Sequence, residues 1–112
     1  MFSRSSVPTV DVIALPEGAY LVDVREDDEW AAGHAPDAVH IPLGQVVAKA
    51  DEIAAVDGDV YVVCRVGGRS GQAVEYLVGR GVTAVNVAGG MQAWAAAGKP
   101  MVTDSGATPF VA

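Results

Sequence analysis

Short runs of apolar, β-branched residues alternate with longer amphipathic stretches, and this alternation constrains the fold more than any other feature of the chain. Residues 20–24 (YLVDV) and 60–64 (VYVVC) are almost continuously apolar, as expected of strands that are covered on both faces. Residues 39–41 and 84–87 are shorter candidates, and a leading strand near residues 9–10 fits a sheet edge. Strands and helices that alternate in this way favour βα units around a mainly parallel sheet.

Helices are predicted between these strands, over residues 26–32, 45–55, 70–80 and 92–97. Gly33, Gly81 and Gly98 follow three of them, and glycine is typical of the position where a helix ends. Asp11 is placed to cap a brief helix that ends before Pro16. The pattern therefore places a helix or a capped turn between each pair of successive strands.

The chain is long enough for one domain and too short for two, because a domain usually needs about 100–150 residues. Alanine (19) and valine (20) far outnumber phenylalanine (2) and tryptophan (2), so the core is expected to consist of small and β-branched side chains. We predict one α/β domain, residues 1–112, with a five-stranded, mainly parallel sheet flanked by helices on both faces. Its core spans about residues 7–100, and residues 101–112 form a C-terminal tail without periodicity.

The overall charge limits the partners that this chain can bind. Fourteen acidic and seven basic residues give a formal net charge of −7, which repels nucleic acids and anionic membranes, so neither is expected as a partner. An anionic substrate would need a local positive feature that outweighs this charge. The N-terminal MFSRSSVPTV lacks the apolar region of a secretion signal, and residues 84–98 are too short for a membrane span, which predicts a cytoplasmic protein.

Cys64 is the only cysteine, which excludes an internal disulfide and a multi-cysteine zinc site. His34 and His40 lack the helical spacing of metal ligands, so no metal site is predicted. A lone cysteine at the end of an apolar strand is most often a small buried hydrophobic residue. The residues that follow Cys64 favour a reactive thiol instead.

Residues 62–70 (VVCRVGGRS) have the composition of an anion-binding loop at the end of a buried strand. Gly67 and Gly68 permit the positive φ angles that turn successive N–H groups inward. A helix is predicted to start immediately afterwards, and its free N–H groups and dipole add positive potential. We therefore expect Cys64 at the mouth of a cup of N–H groups.

The same loop is expected to acidify the thiol. A helix N-terminus and nearby cations lower the pKa of a cysteine below its usual value of about 8.5. Arg65 and Arg69 are the nearby cations, and they also provide the local positive feature that an anionic substrate requires. Ser70 is placed at the N-cap or in the first turn, where its hydroxyl can reach a backbone N–H or the thiolate.

Three ordered motifs in the chain resemble the signatures of one protein family. Residues 21–30 (LVDVREDDEW), followed by residues 33–42 (GHAPDAVHIP), resemble its first signature. Residues 62–70 resemble its active-site loop. Residues 81–94 (GVTAVNVAGGMQAW) resemble its closing signature, in which a double glycine precedes a helix that carries a tryptophan. The resemblance is to the rhodanese-like sulfurtransferase domain, covers about residues 7–100 and implies the rhodanese-like version of the α/β fold.

The resemblance also implies a reaction. Cys64 would be the sulfur acceptor, and the backbone after it would surround the terminal sulfur of a persulfide. The residues implied to bind substrate are the rest of the loop: Arg65, Val66, Gly67, Gly68, Arg69 and Ser70. The implied activity moves a sulfane sulfur from thiosulfate, polysulfide or a persulfide to a thiol or cyanide, without a metal or organic cofactor. A sulfur-relay protein is a further possible partner for such a persulfide.

Other functions remain open at this point. Related phosphatases and arsenate reductases have the longer pattern C-x5-R, whereas four residues separate Cys64 from Arg69, which favours sulfur over phosphorus. A sulfur carrier or interaction module without catalytic activity is a second alternative. Val66 stands where thiosulfate-specialised members have a lysine, which leaves polysulfide and persulfide donors open beside thiosulfate. Asp37 stands at a turn glycine of the family, where aspartate tolerates the left-handed conformation.

Charged and aromatic residues outside the loop are predicted to have structural roles. Asp23, Arg25 and Glu29 are expected to form one set of ion pairs near the end of the sheet, because a buried charge needs a partner. His34 is expected to bond the backbone of its own turn. The two tryptophans are expected to line the core or a groove.

Overall fold

Five strands form one sheet in a computed structural model of the protein, which describes residues 7–112. In chain order the strands are β1 (Thr9–Asp11), β2 (Tyr20–Asp23), β3 (Val39–His40), β4 (Val60–Val63) and β5 (Ala84–Ala88). They lie in the order β1-β5-β4-β2-β3, and each neighbouring pair is parallel. The predicted α/β fold is confirmed, with the leading strand at an edge. Because all strands run in one direction, their carboxyl ends lie at the same end of the sheet. β4 is the central strand, so its carboxyl end lies in the middle of that row.

The helices are α1 (Asp27–Ala32), α2 (Ala50–Ala54), α3 (Gly68–Gly79) and α4 (Gly90–Ala96), with short 3-10 helices at Val12–Ala14 and Leu43–Gln45. Asp11 caps the first 3-10 helix as predicted, since its carboxylate accepts a backbone N–H at 3.0 Å. The long helix predicted over residues 45–55 is wrong in its first half, because α-helix begins only at Ala50. Val46 and Val47 lie in that half; β-branched side chains lose rotamer freedom in a helix, and Val46 packs into the core from a turn instead.

The core occupies both faces of the sheet and consists mainly of small and branched aliphatic side chains, as the composition predicts. Successive strand residues point to opposite faces. Val22 and Val62 therefore pack with α3 on one face, whereas Leu21 and Val63 pack with Trp94 of α4 on the other. Burial of each valine or leucine side chain contributes about 1.5–3 kcal/mol, so these two layers hold the end of β4 in a fixed position.

The turn before β3 differs in detail from the sequence-based expectation. Pro36 and Asp37 are its central residues, and the N–H of Ala38 donates to the carbonyl of Ala35 at 3.2 Å. Within residues 7–112 every residue with a positive φ angle is a glycine, so Asp37 does not use the left-handed conformation. A turn with proline at its second position accommodates an aspartate at its third with a negative φ angle.

The C-terminal tail packs onto the segment that follows α1, although its sequence shows no periodicity. His34 and Val102 form an isolated antiparallel bridge with N···O distances of 3.0 and 2.9 Å. The N–H of Phe110 donates to the carbonyl of the last residue of α1 at 3.0 Å. A Cβ at Gly33 would lie 2.8 Å from the carbonyl oxygen of Phe110. Gly33 therefore has two roles: it ends α1, and its lack of a side chain lets the tail cross close to the segment after α1.

Two of the sequence predictions concern location. Across residues 7–112, none of the helices combines the length and the apolar character needed to cross a bilayer. The interpretation of MFSRSSVPTV as lacking a secretion signal concerns residues 1–6 in part, and those residues lie outside the described range. The cytoplasmic location therefore stays a prediction.

Candidate active site

The candidate site lies where the central strand β4 ends and the chain turns into α3. Cys64 follows β4 directly and is buried, with 1% of its surface exposed. Gly67 caps α3 with a φ angle of 116°, which is the left-handed region that favours glycine. Gly68 was expected to share this conformation, but it is the first residue of α3 and its φ angle is not positive. One left-handed glycine is therefore enough to form the turn.

The sulfur of Cys64 is held by donors from this turn. Its Sγ accepts the backbone N–H of Gly67 at 3.0 Å and faces the hydroxyl of Ser70 at 3.3 Å. Burial raises the pKa of the thiol, but the hydroxyl and N–H of Ser70 and the N–H groups of Gly67 and Val66 outweigh it and lower the pKa below its ordinary value. The direction agrees with the sequence prediction. Of the causes that the sequence predicts, the Ser70 hydroxyl and the N–H groups at the helix start make the largest favourable contributions, ahead of the arginines.

Asn86 of β5 completes the hydrogen bonding around the sulfur, a role that the sequence motifs do not predict. The hydroxyl of Ser70 donates to its Oδ1 at 2.6 Å, and its Nδ2 donates to the carbonyl of Gly67 at 3.3 Å. Both groups that contact Sγ are thus tied to the neighbouring strand. The signal for this role is an asparagine in the apolar segment AVNV, since asparagine is depleted in strands.

The start of α4 supports the loop from the other side. The N–H of Met91 donates to the carbonyl of Cys64 at 2.8 Å, and the N–H of Gln92 donates to the carbonyl of Arg65 at 3.0 Å. Gly90 has a φ angle of 57°, and a Cβ there would overlap both of these carbonyl groups. The second glycine of the closing motif is therefore required by a close approach to the backbone that carries the sulfur.

Arg69 is engaged with Glu29 of α1. Its two terminal nitrogens donate to the two carboxylate oxygens at 2.7 and 2.9 Å. These hydrogen bonds lower the pKa of Glu29 to about 2 and raise the pKa of Arg69 above its ordinary value. The expectation that Glu29 belongs to one set with Asp23 and Arg25 is wrong, since Glu29 pairs with α3. Contact of Arg69 with an anionic donor stays a prediction, and the pair with Glu29 would compete with it.

Asp23 and Arg25 form a separate pair beside the site, and both are fully buried. The guanidinium binds the carboxylate through Nε and through Nη2, the latter at 2.8 Å from Oδ2. Nη2 also donates to the carbonyl of Gly33 at 2.8 Å. This geometry ties the end of β2 to the segment after α1, which is the structural role that the sequence predicts for these two residues.

Arg65, which is half-buried, and Val66, which is exposed, form the rim of the loop. The Nε of Arg65 donates to the carbonyl of Ala112 at 3.0 Å, so the tail reaches the rim of the site. The side chain of Val66 is 52% exposed, while its N–H contributes to the donors that face the thiol. Of the two arginines, Arg65 is therefore the one without a salt bridge to an acidic side chain among the described residues.

His34 does not bond the backbone of its own turn through its ring, so that expectation is wrong. Its Nε2 lies 3.2 Å from the exposed carboxylate of Asp104. Its ring stacks on Trp30 at 3.6 Å between centroids, and Trp30 also stacks on His40 at 4.6 Å. Burial lowers the pKa of His34.

In the part of the chain that the structure describes, no group of three or more histidine, cysteine, aspartate or glutamate side chains could hold a metal ion.

Comparisons with known proteins identify similar sequences and structures. The rhodanese-like domain family matches residues 11–97. A sulfurtransferase of Allochromatium vinosum is 41% identical over 95 residues, which cover 84% of this chain and 88% of that protein. A thiosulfate sulfurtransferase of Pseudomonas savastanoi pv. phaseolicola is 40% identical over 95 residues, which cover 80% and 86%. The crystal structure of a rhodanese-related protein from Thermoplasma volcanium matches with a TM-score of 0.79 and 32% identity, covering 87% of this chain and 99% of that chain.

Proposed function

The chain belongs to the rhodanese-like domain family, in which the relatives above are named sulfurtransferases, and we propose that it transfers sulfur through a persulfide on Cys64. One observation carries the proposal: the buried Sγ of Cys64 lies within 3.0 Å of the N–H of Gly67 and 3.3 Å of the Ser70 hydroxyl. Such donors stabilise a thiolate, which is the nucleophilic form of cysteine.

The proposed reaction has two steps, shown here with thiosulfate and cyanide. The thiolate of Cys64 attacks the sulfane sulfur of thiosulfate, a new S–S bond forms, and the old S–S bond breaks with its electron pair leaving on sulfite. The protein then carries a persulfide whose charge lies on the terminal sulfur. Cyanide attacks that sulfur, thiocyanate leaves, and the thiolate is restored. Charge and atoms balance in both steps, and no external oxidant or reductant is needed.

The residues of the loop have distinct proposed roles. The N–H groups from Val66 to Ser70 bind the charged terminal sulfur, because N–H groups that converge on one point form an anion site. Arg65 at the rim attracts and orients the anionic donor. Arg69 holds the start of α3 through Glu29 and contributes positive potential from there.

Thiosulfate, polysulfide and protein persulfides are all proposed donors, and thiols or cyanide the acceptors. The exposed side chain of Val66 at this rim leaves room for a partner protein, which supports a sulfur-relay protein as acceptor or donor. A cytoplasmic location belongs to the same proposal, since a reducing compartment keeps a lone thiol free. A carrier without catalytic turnover uses the same persulfide and differs only in needing a partner for the second step.

Activity assays on the wild type and Cys64→Ser test the proposal. We expect thiocyanate to form from cyanide with thiosulfate or polysulfide, and we expect Cys64→Ser to lose this activity completely. Glu52→Gln on the exposed side of α2 is the control and should keep full activity. Hydrolysis of an aryl phosphate by the wild type, lost in Cys64→Ser and without any thiocyanate formed, would identify a phosphatase and overturn the proposal.

A further inference from the structure

Asn86 lies behind the sulfur and shares the Ser70 hydroxyl with it. On the basis of the proposed persulfide chemistry, we propose that Asn86 is a positioning residue that competes with Cys64 for the single proton of the Ser70 hydroxyl and thereby favours the persulfide over the free thiolate. Asn86 and Ser70 are both buried, with 9% and 0% of their surfaces exposed. The contact between the Ser70 hydroxyl and the Asn86 amide is therefore buried.

The competition follows from the geometry of three atoms. The Ser70 hydroxyl has one proton and lies 2.6 Å from Oδ1 of Asn86 and 3.3 Å from Sγ of Cys64. The shorter distance is that of a strong O–H···O hydrogen bond. With a neutral thiol, the proton is therefore directed at Asn86.

The amide of Asn86 is fixed in the orientation that accepts this proton. Its Nδ2 donates to the carbonyl of Gly67 at 3.3 Å. A rotation of the amide by half a turn would bring Oδ1 against that carbonyl, and two acceptors would then face each other. Asn86 consequently cannot serve Ser70 as a donor without losing its contact to Gly67.

The ionisation of Cys64 reverses the competition. A thiolate is a charged acceptor, and hydrogen bonds to charged groups are about twice as strong as those between neutral groups. The Ser70 proton turns to Sγ, and Oδ1 of Asn86 is left buried without a donor, which costs free energy. Relative to the neutral thiol, the free thiolate is thus less stable with Asn86 present than without it.

Persulfide formation removes this cost. When Cys64 carries a second sulfur, the negative charge moves to the terminal atom, about 2.05 Å along the new S–S bond. Sγ then has two covalent bonds, carries no formal charge and is only a weak acceptor. The Ser70 proton returns to Asn86, and the N–H groups of the cup hold the charged terminal sulfur. Asn86 therefore lowers the free energy of the persulfide relative to the thiolate.

A double-mutant cycle measures the competition without any sulfur donor. Alkylation of Cys64 by iodoacetamide is followed against pH in the wild type, Asn86→Val, Ser70→Ala and the double variant. With Ser70 present, we expect Asn86→Val to lower the midpoint by about half a pH unit or more relative to its effect in the Ser70→Ala background. Any loosening of the loop acts in both backgrounds and cancels. An equal shift in the two backgrounds would overturn the proposal.

A second measurement follows the persulfide itself. Each variant is equilibrated at one fixed ratio of thiosulfate to sulfite, and the fraction that carries an extra sulfur is read from the intact mass. Asn86→Val should lower the ratio of persulfide to free protein by about threefold or more when Ser70 is present. It should leave that ratio unchanged in the Ser70→Ala background. A similar loss in both backgrounds would assign Asn86 a merely structural role.

Controls separate this inference from the proposed function. Gln72→Ala removes an exposed amide from α3 and should change neither measurement. Asn86→Ala replaces Asn86→Val if the valine variant does not fold. A wild type that takes up no sulfur from any donor would overturn the proposed function, while the alkylation cycle would still decide whether Asn86 and Cys64 compete for the proton.

Discussion

At the scale of single residues, the thiol of Cys64 is acidified mainly by donors without formal charge. Ser70 and the loop N–H groups outweigh the burial that would otherwise raise its pKa. Arg69 is paired with Glu29 and Arg65 lies at the rim, so each cation has a task other than direct contact with the resting thiol. Reactivity at this site therefore depends on the placement of the Ser70 hydroxyl and the loop N–H groups more than on net charge.

The pair of Glu29 and Arg69 predicts a pH-dependent contribution to stability. The pKa of Glu29 is lowered from 4.5 to about 2 in the folded protein, so its stabilising effect is full above pH 4.5 and is lost as the pH falls towards 2. We expect Glu29→Gln to lower the free energy of unfolding by about 1 kcal/mol near neutral pH. The difference from wild type should shrink between pH 4.5 and pH 3, as measured by urea denaturation.

The exposed residue Glu52 provides the matched control for this experiment. Glu52→Gln makes the same chemical change on α2. Among the described residues Glu52 forms no salt bridge, so the variant should alter the free energy of unfolding little at either pH. If the free energies of unfolding of Glu29→Gln and wild type differed by the same amount at pH 3 and pH 7, the ion pair with Arg69 would not be the source of that difference.

At the scale of secondary-structure elements, the start of α4 holds the loop that carries Cys64. Gly90→Ala would combine a left-handed backbone with an overlap against two loop carbonyl groups. We expect it to lower the free energy of unfolding by about 3 kcal/mol or more, because the left-handed conformation alone costs an alanine about 1–2 kcal/mol. Chemical denaturation measures this loss, and Cys64 alkylation should slow as the loop is displaced.

Gly18→Ala separates the two causes. Gly18 also has a positive φ angle, 76°, but a Cβ there has no atom within 4 Å. The variant should therefore show only the backbone cost of about 1–2 kcal/mol and keep the alkylation rate of wild type. Equal losses for Gly18→Ala and Gly90→Ala would contradict a supporting role for α4.

The elements that the sequence predicts best are those whose identity is decided by local pattern. Residues 20–24 and 60–64 become β2 and β4 because buried β-branched runs have few alternatives. The segment 45–55 is predicted too long, since helix propensity and amphipathic spacing do not reveal that Val46 packs from a turn. The order of the strands also requires the tertiary packing, which no local pattern contains.

The residues of the candidate site also divide into those that the local sequence brings together and those that only the tertiary fold brings together. Cys64, Gly67 and Ser70 come from one short segment, so their spacing alone places them together. Asn86 and Gly90 reach the site from β5 and α4, and their contacts depend on β5 lying next to β4 in the sheet. Their roles could not be derived from spacing, although a glycine pair and an asparagine within an apolar strand marked the positions.

At the scale of the whole molecule, a net charge of −7 opposes anionic donors, while Arg65 lies half-buried at the rim of the site without an acidic side chain paired to it. Charges farther away than a Debye length of about 8 Å are screened at physiological salt, so the nearby cation dominates there. We expect Arg65→Ala to raise the KM for thiosulfate about threefold or more at low salt, with kcat little changed. The ratio of mutant to wild-type KM should fall as sodium chloride is added.

Arg80→Ala is the control for this charge effect. It removes the same charge from the far end of α3, where Arg80 contacts Tyr76 and not the loop. Its KM should stay close to that of wild type at every salt concentration. A KM that rises equally in both variants would mean that total charge, and not the rim of the site, governs donor capture.

The mass of the intact protein after exposure to thiosulfate or polysulfide tests sulfur transfer through Cys64 directly, because a persulfide there adds one sulfur atom. We expect a gain of one sulfur in the wild type, its removal by a thiol reductant or by cyanide, and no gain in Cys64→Ser. A wild type whose mass stays unchanged with every donor, or a gain that persists in Cys64→Ser, would contradict sulfur transfer through this cysteine.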